Sequence, residues 1–291
     1  KTTGTPLTLI IENENQHSKD YSPTKNLARP GHADFTAQCK YHGYQDYRGG
    51  GHFSGRITAP LVAAGALAIK MLEKKNICIL THIASCGGIF DREIKDFYED
   101  YNLIDTLPIP VLDSEARVKI EKRIEEIASE GDSVGGKLET VVRGMPQGVG
   151  EPWFDSVESM LSHILFSVPA IKGVEFGSGF DFCNMIGSDA NDSFRVADKI
   201  IVTETNNNGG INGGITNGMP IIFKCAVKPT PSIYKKQKTV DFIKGENADL
   251  QIKGRHDPAI IHRAAVVVSS VTALCLCDIL AQRFGTDYFA E

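Results

Sequence analysis

The chain has 291 residues, of which 42% are hydrophobic and 23% are charged, and this composition is typical of a soluble globular protein. Its 31 basic and 36 acidic residues give a formal net charge of −5, so the overall charge does not favour nucleic acid as a partner. We expect neither a signal peptide nor an association with a membrane.

The cysteines are too scattered for a disulfide framework or a zinc site. Their number is odd and no pair has the Cys-x-x-Cys spacing, so we predict no metal site and a reducing, cytoplasmic environment. No linker or low-complexity run divides the sequence, and a single domain over residues 1–291 is expected. The seven cysteines are at positions 39, 78, 86, 183, 225, 275 and 277.

Secondary-structure signals mix strands with helices along the chain. Strands are predicted, from their β-branched or alternating residues, at 7–11, 76–84, 136–144, 171–176 and 220–227. Helices are predicted at 57–75 (Thr58 cap, Pro60 in the first turn), 113–131 (Asp113 to Gly131), 155–166 (Asp155 cap) and 258–283 (Asp257 cap, Pro258 first). Because strict βαβ alternation is missing, we predict an α+β fold with largely antiparallel sheets.

The polar stretch from Arg29 to Arg56 is the strongest candidate site. It combines three histidines and four basic residues with a run of glycines at 49–51, and its apolar residues are too sparse for a regular helix or strand. Main-chain amides of the glycines, flanked by Arg48 and Arg56, could cradle an anion, and His32 suits proton transfer near neutral pH. The alternatives are a tight glycine turn and a surface-loop histidine.

Three further segments carry residue types suited to a ligand. The glycine pairs within 206–218 allow close approach to a flat ligand, or form a flexible hairpin. Residues 228–232, KPTPS, are stiffened by two prolines and offer hydroxyl and main-chain donors, or make a rigid strand exit. In residues 254–258, GRHDP, Asp257 either caps the next helix or points with Arg255 at a ligand.

Taken together, these segments resemble the chorismate synthase family. The matching pieces run in family order over nearly the whole chain: KTTGTP, NENQHSKDYS, RPGHADF, DYRGGG, AAGALA, GDSVGGKLE, GEPWFDSVES, AIKGVEFGSGF, NNGGINGGI, KPTPSI and KGRHDP. The resemblance implies a β-α-β sandwich whose largely antiparallel sheets surround a helical core. It also implies a homotetramer.

The activity implied by the resemblance is that of a shikimate-pathway lyase, which belongs to aromatic amino acid biosynthesis. It would convert 5-enolpyruvylshikimate 3-phosphate to chorismate and phosphate by trans-1,4 elimination. The family requires reduced FMN although the reaction has no net redox change, and the protein positions this cofactor in a dry, basic pocket. NADPH is a possible reductant, as in the bifunctional members of the family, but no additional reductase domain is evident.

Site residues follow from the resemblance position by position. His32 corresponds to the active-site histidine beside the flavin, Asp257 to an aspartate that relays a proton, and Ser54 to a pocket serine. Arg48 and Arg56 suit a basic wall for the phosphate and carboxylates of the substrate. The positions that correspond to cofactor contacts are His52, Phe53, Ser54, Ala170, Gly213, Lys228, Pro229, Thr230, Pro231, Ser232 and Arg255.

Two departures from the family pattern stand out. His52 and Phe53 occupy the positions of an Arg-Ser pair, so a flavin or phosphate contact is absent or is replaced in part by a protonated His52. The family's N-terminal segment, with a Gly-Glu-Ser-His-Gly motif and an arginine-rich loop, has no counterpart in this sequence, which begins at Lys1 in what reads as the middle of a fold. We therefore expect that the N-terminal segment of an otherwise normal enzyme is either truncated or unresolved.

Two other hypotheses differ in class from an active lyase. The chain could be a non-catalytic flavin- or anion-binding relative that lost its activity with the N-terminal segment. It could also be an unrelated phosphate-binding protein built on the glycine loops, although this would not explain the ordered series of motifs.

Overall fold

The computed structural model describes residues 4–12, 25–252 and 256–290, without the side chains of residues 48–50. Within this part the helices are α1 (Asp34–Tyr41), α2 (Ala59–Glu73), α3 (Phe97–Ile104), α4 (Ser114–Ser129), α5 (Val157–Ser167), α6 (Gly187–Ala190) and α7 (Ile261–Phe284). The strands are β1 (Cys78–Cys86), β2 (Ile89–Phe90), β3 (Gly136–Arg143), β4 (Ile171–Phe176), β5 (Phe194–Ala197), β6 (Ile200–Thr203), β7 (Ile211–Asn212), β8 (Ile215–Thr216), β9 (Ile221–Val227), β10 (Gln237–Asp241) and β11 (Glu246–Leu250).

The main sheet has five antiparallel strands in the order β2-β1-β3-β9-β4. Between β4 and β9 the chain leaves the sheet and forms the hairpins β5–β6 and β7–β8. A further hairpin, β10–β11, follows β9 and makes a bridge from Asp241 to Leu27. The mixed α+β class with antiparallel pairing, predicted from the order of the elements, is confirmed.

The core lies between the sheet and a layer of helices centred on α7. This helix packs against β1 and β3 on one side and against α2 and α5 on the other. Val268, Val271 and Leu276 have no exposed surface, and each such aliphatic side chain contributes about 2 kcal/mol when fully buried. The predicted long apolar helix is therefore the central one, because its apolar residues cover its whole circumference.

Local sequence signals explain how several helices begin and end. The Asp113 carboxylate caps α4 by accepting the Ala116 amide at 2.8 Å, and Gly131 follows the helix with a φ of +70°, which favours glycine. Proline stands in the first turn of α2, as predicted, where its missing amide hydrogen is not needed. Thr58 occupies the cap position of α2, but its hydroxyl donates to the Gly55 carbonyl instead of capping the helix.

Besides the Thr58 cap, three predicted details are wrong. Residues 7–11 form no strand, and Leu7 and Ile10 are 60% and 81% exposed, since no strand of the described chain pairs with them. Helix α5 is capped by Ser156, whose hydroxyl accepts the Ser159 amide, and not by Asp155. Helix α7 begins at Ile261, later than predicted, because residues 257–260 form a turn before it.

Helix α7 and residues 55–73 are each long and apolar enough to cross a membrane, judged by length and composition alone. In α7, 67% of the most apolar window is buried inside the protein, as expected for a core helix.

Candidate active site

Arg29, His32 and Asp34 form one compact cluster at the start of α1. The Arg29 guanidinium makes a two-pronged ion pair with Asp34, with Nε to Oδ2 at 2.8 Å and Nη2 to Oδ1 at 2.7 Å. The main-chain amide of Arg29 also donates to Asp34 Oδ2 at 2.9 Å. His32 Nδ1 lies 3.2 Å from Arg29 Nη2 and 3.3 Å from Asp34 Oδ1, and the imidazole is 14% exposed. The turn in front of α1 therefore holds the ring against a fixed ion pair.

The charge on Asp34 is stable in this environment. Partial burial by itself raises the pKa of Asp34, but hydrogen bonds from Arg29, the neighbouring His32 ring and the charge of the Arg29 guanidinium outweigh that effect and hold the pKa well below its usual range. The carboxylate consequently stays ionised, and Arg29 stays paired, throughout the physiological pH range.

Residues 228–232 lie directly against the turn that carries His32. The Lys228 ammonium donates a hydrogen bond to the Gly31 carbonyl. A Cβ at Gly31 would stand 3.5 Å from Pro231 Cβ, so the two segments are in van der Waals contact. The Lys228 amide donates at 2.9 Å to the carbonyl of Ala170, which has a φ of +74°. Thus Ala170, Lys228 and His32, predicted separately, belong to adjoining segments.

Thr230 and Ser133 connect this segment to the turn before α7. The Thr230 hydroxyl donates to the Asp257 carbonyl at 2.8 Å. The Ser133 hydroxyl donates to the Thr230 carbonyl at 2.7 Å, and the Val134 amide donates to the Pro258 carbonyl at 2.8 Å. These bonds place residues 133–134, 230 and 257–258 side by side.

The Asp257 carboxylate is only partly used by the protein. Oδ1 accepts the Ala259 amide at 3.1 Å, whereas Oδ2 lies 3.0 Å from Arg263 Nη1 without the alignment of a hydrogen bond. Because Arg263 is 72% exposed and Asp257 is 20% exposed, this surface ion pair is weakly held. Oδ2 is thus a buried acceptor with spare capacity, although Asp257 is not the helix cap that the sequence also allowed.

His256, which the sequence did not single out as a site residue, lies next to Asp257 in the same cleft. Its ring packs on Tyr234 with the centroids 5.0 Å apart, and Nε2 is buried without a hydrogen bond from the described residues. Burial and the positive charge of Arg29 both lower the pKa of His256 below its ordinary value. Ser232, Tyr234, His256 and Asp257 line a common cleft. The one indication in the sequence that His256 could contact a ligand was its position between Arg255 and Asp257, next to a turn.

The segment around Ser54 lies at the other end of the Arg29–Arg56 stretch. It consists of two 3₁₀ turns, Arg48–Phe53 and Gly55–Thr58, and the Ser54 hydroxyl caps the second by accepting the Arg56 amide at 3.3 Å. Phe53 and Asp34 line the same cleft, which brings this segment beside α1.

His52 and the Arg56 side chain are exposed to solvent. The Arg48 side chain and the whole of Arg255 lie outside the described part of the chain. The predicted basic wall therefore remains a prediction.

Gly213 lies apart from the cluster around His32, in the tight turn of the β7–β8 hairpin. Its φ of +62° is a conformation that favours glycine, and a Cβ there would meet no atom within 4 Å, so its surface is open to a ligand. The next residue, Gly214, is closely packed, because a Cβ would stand 2.7 Å from Ser156 Cβ. The hairpin is thus anchored against the start of α5.

A family model with the description "Chorismate synthase" matches residues 1–281. The chain belongs to the chorismate synthase family. Among curated relatives, chorismate synthase of Methanobrevibacter smithii is 48% identical over 96% of this chain and 76% of its own length. Those of Korarchaeum cryptofilum and Agathobacter rectalis are each 44% identical, over 95% and 100% of this chain and 76% and 80% of their own.

A solved chorismate synthase has the same fold. Its crystal structure aligns with a TM-score of 0.71 at 28% identity, covering 88% of this chain and 72% of the other. The family predicted from the ordered motifs is confirmed, together with its mixed helix and antiparallel-sheet architecture. Family membership makes the chain a lyase of aromatic amino acid biosynthesis. No described group of three or more histidine, cysteine or acidic residues is arranged to hold a metal ion.

Proposed function

We propose that the chain converts 5-enolpyruvylshikimate 3-phosphate to chorismate and phosphate in a reaction that depends on reduced FMN. The family supports the reaction, since the relatives at 42–48% identity are named chorismate synthases. The observation that carries the site assignment is the convergence of residues 29–34, 228–232 and 256–258, which are far apart in the sequence, around a few side chains that can exchange protons.

The residues present suit a flavin nucleotide. His256 Nε2 and Asp257 Oδ2 are buried polar atoms that lack hydrogen bonds from the described chain, and such atoms ordinarily have partners. The Lys228 ammonium, the Ser232 hydroxyl and nearby main-chain groups form a donor set for a phosphate or a polar ring edge. The Thr230 hydroxyl donates to the Asp257 carbonyl, so its oxygen is available to the ligand only as an acceptor. Gly213 and Ala170 are further proposed contacts, with Arg255, Ser54 and its neighbours His52 and Phe53. When bound, reduced FMN supplies a transient electron reservoir.

The protein's own contribution is orientation and proton handling. His32 meets the ligand through Nε2, since Nδ1 faces the Arg29–Asp34 ion pair. Asp257 holds an ionisable oxygen, Oδ2, at the turn in front of α7, where it can hold or pass a proton. Arg48 and Arg56 would hold the phosphate and carboxylates of the substrate, an assignment that rests on their charge.

Self-association is a further part of the proposal. Trp153, Phe154, Phe194 and Val196 are between 65% and 86% exposed, and large exposed apolar groups of this kind mark interaction surfaces. They support the homotetramer of the family. The free cysteines support a reducing cytoplasmic location, with FMN reduced by an external donor or by NADPH.

Anaerobic turnover with chemically reduced FMN tests the proposal directly. We expect phosphate and chorismate to form in equal amounts only when reduced FMN is present. Flavin binding without turnover would instead favour the non-catalytic relative, and the absence of both would contradict the proposed function. Replacement of Lys228 by Ala should weaken FMN binding at least tenfold, whereas Lys172→Ala, at an exposed position of β4, should not change it.

A further inference from the structure

The Arg29 guanidinium is held in a single orientation by Asp34. Nε and Nη2 donate to the two carboxylate oxygens at 2.8 and 2.7 Å, and the main-chain amide of Arg29 donates to the same carboxylate at 2.9 Å. A two-pronged pair of this type fixes the plane of the guanidinium as well as its position. The direction of the remaining hydrogen on Nη2 is therefore also fixed.

That remaining hydrogen points at His32. Nη2 carries two hydrogens, one of which goes to Asp34 Oδ1, and the other is aligned with His32 Nδ1 at 3.2 Å. A guanidinium has donors and no acceptor, so a hydrogen bond between these atoms requires Nδ1 to be the acceptor and to carry no proton.

The competing contact is weaker. Nδ1 lies 3.3 Å from Asp34 Oδ1, which is longer and lacks hydrogen-bond alignment, and this oxygen already accepts from Arg29 Nη2 at 2.7 Å. A proton on Nδ1 would also face the N–H of Arg29.

The surrounding main chain keeps the imidazole in this position. The His32 amide donates to the Arg29 carbonyl at 3.0 Å, which closes the turn between the two residues. The Lys228 ammonium binds the carbonyl of Gly31, the residue immediately before His32. Among the described residues no hydrogen bond involves His32 Nε2, and Nδ1 is the ring nitrogen that contacts the ion pair.

We infer that Arg29 is a positioning residue that donates a hydrogen bond to Nδ1 of His32 and so keeps this nitrogen unprotonated. The neutral imidazole then presents an N–H at Nε2 to the bound ligand. A neutral imidazole has one donor and one acceptor, and once Nδ1 accepts, Nε2 must donate. His32 then stabilises negative charge on a ligand nitrogen or oxygen by hydrogen bonding, as neutral histidines do in other active sites. In this arrangement His32 acts towards the ligand as a hydrogen-bond donor, because the Nδ1 lone pair accepts the N–H of Arg29. This inference rests on the proposed function only for the identity of the ligand.

Nitrogen-15 NMR of the histidine rings tests the tautomer without any turnover. The ring signals of His32 are assigned from their loss in His32→Gln, and His163→Gln, at an exposed position of α5, is the control. At about pH 8, where imidazoles are mostly neutral, we expect Nδ1 to be unprotonated and Nε2 protonated. In Arg29→Gln we expect a mixture of tautomers. A protonated Nδ1 in the unaltered protein would overturn the inference.

Two substitutions of His32 separate hydrogen-bond donation from proton transfer. The glutamine amide of His32→Gln can place an N–H near the position of Nε2 but cannot exchange a proton, whereas the shorter amide of His32→Asn reaches only the Nδ1 side. We expect kcat to fall by about tenfold in His32→Gln and by about 10²–10³-fold in His32→Asn, with the KM for substrate little changed. Equal losses in both variants would overturn the donor role.

A matched pair of variants tests the role of Arg29, and failure of that role can be distinguished from failure of the proposed function. Arg29→Lys keeps the charge but loses the planar fork that binds both oxygens of Asp34 and fixes the direction of the N–H towards His32. We therefore expect kcat to fall about tenfold, while Arg195→Lys on exposed β5 should not change it. If unaltered protein shows no turnover but the NMR gives an Nε2–H tautomer, the proposed function fails and the role of Arg29 stands.

Discussion

Asp192 accepts two hydrogen bonds from Asn208 through the same carboxylate oxygen, one from the main-chain amide and one from the side-chain amide, both at 2.8 Å. Its other oxygen accepts the Thr205 hydroxyl at 2.6 Å and the Asn207 amide at 2.7 Å. One buried carboxylate thereby fixes the loop that leads to the β7–β8 hairpin and to Gly213. The sequence of the glycine- and asparagine-rich motif was compatible with a flexible hairpin. In the structure the motif is held in one conformation by Asp192, which lies outside it.

Substitution of Asp192 by Ala should loosen this loop. Four donors would lose their acceptor in a site that is 9% exposed to solvent, and we expect a loss of about 3 kcal/mol in the free energy of unfolding. Urea denaturation measures the loss, and hydrogen exchange at residues 207 and 208 localises it. Asp189→Ala, at an exposed position whose carbonyl still binds Asn207, should change stability by less than about 0.5 kcal/mol. Unchanged exchange in Asp192→Ala would contradict the prediction.

Gly65 allows α2 to approach α7 closely. An added Cβ would stand 2.6 Å from Ser270 Cα, and that atom belongs to main chain that cannot move aside alone. We expect Gly65→Ala to destabilise the protein by about 2 kcal/mol despite the higher helix propensity of alanine. Thermal unfolding measures the change. The matched control is Gly187→Ala in α6, where no atom lies within 4 Å of the added Cβ, and a comparable loss there would refute the steric explanation.

His82 should make stability depend on pH. Its Nδ1 lies 2.9 Å from Asp91 Oδ2 and its Nε2 lies 3.3 Å from Glu139 Oε1, with the ring only 2% exposed. Burial alone lowers the pKa of His82, but the two carboxylates outweigh it and raise the pKa above the ordinary 6.5. Since the folded state binds the extra proton, this stabilisation is complete below about pH 6.5 and is lost as the pH rises through the folded-state pKa.

Comparison with His82→Gln makes that dependence measurable. The variant removes the imidazolium that pairs with Asp91 and Glu139 and, among the described residues, leaves Glu139 only the longer contact with Lys224 at 3.8 Å. We expect it to be about 3 kcal/mol less stable than the unaltered protein at about pH 6. The difference should shrink as the pH rises towards 9. Urea titrations at a series of pH values give the difference directly, and a gap that widens with pH would reverse the assigned sign.

Thr230 should couple cofactor binding to the turn before α7. Thr230→Val removes the hydroxyl that donates to the Asp257 carbonyl, and we expect a loss of about 1 kcal/mol in stability and weaker FMN binding. Thr230→Ser keeps the hydroxyl and should restore both. Fluorescence titration of FMN together with urea denaturation distinguishes the variants, and equal behaviour of valine and serine would show that the hydroxyl is not used.

Sequence reasoning found the separate parts of the candidate site but not their connections. Residues 29–34, 228–232 and 256–258 were each recognisable from their residue types and from the resemblance to a family. The bonds that join them span 197 residues between Lys228 and Gly31 and 27 residues between Thr230 and Asp257. His256 was not predicted from the sequence, because its lowered pKa and its packing depend on Tyr234 and Arg29, which are distant in the sequence.

By itself the sequence determined the family, the fold class and the local beginnings and ends of helices such as α4, because a cap or a left-handed glycine depends on residues within one turn of the chain. Only the tertiary structure decided which strands pair, where α7 begins and which nitrogen of His32 accepts the hydrogen bond from Arg29. Strand pairing needs a partner, which residues 7–11 lack within the described chain. The hydrogen bond to Nδ1 needs a guanidinium whose plane is fixed by Asp34, and it needs a turn that is held in place by the hydrogen bond from Lys228.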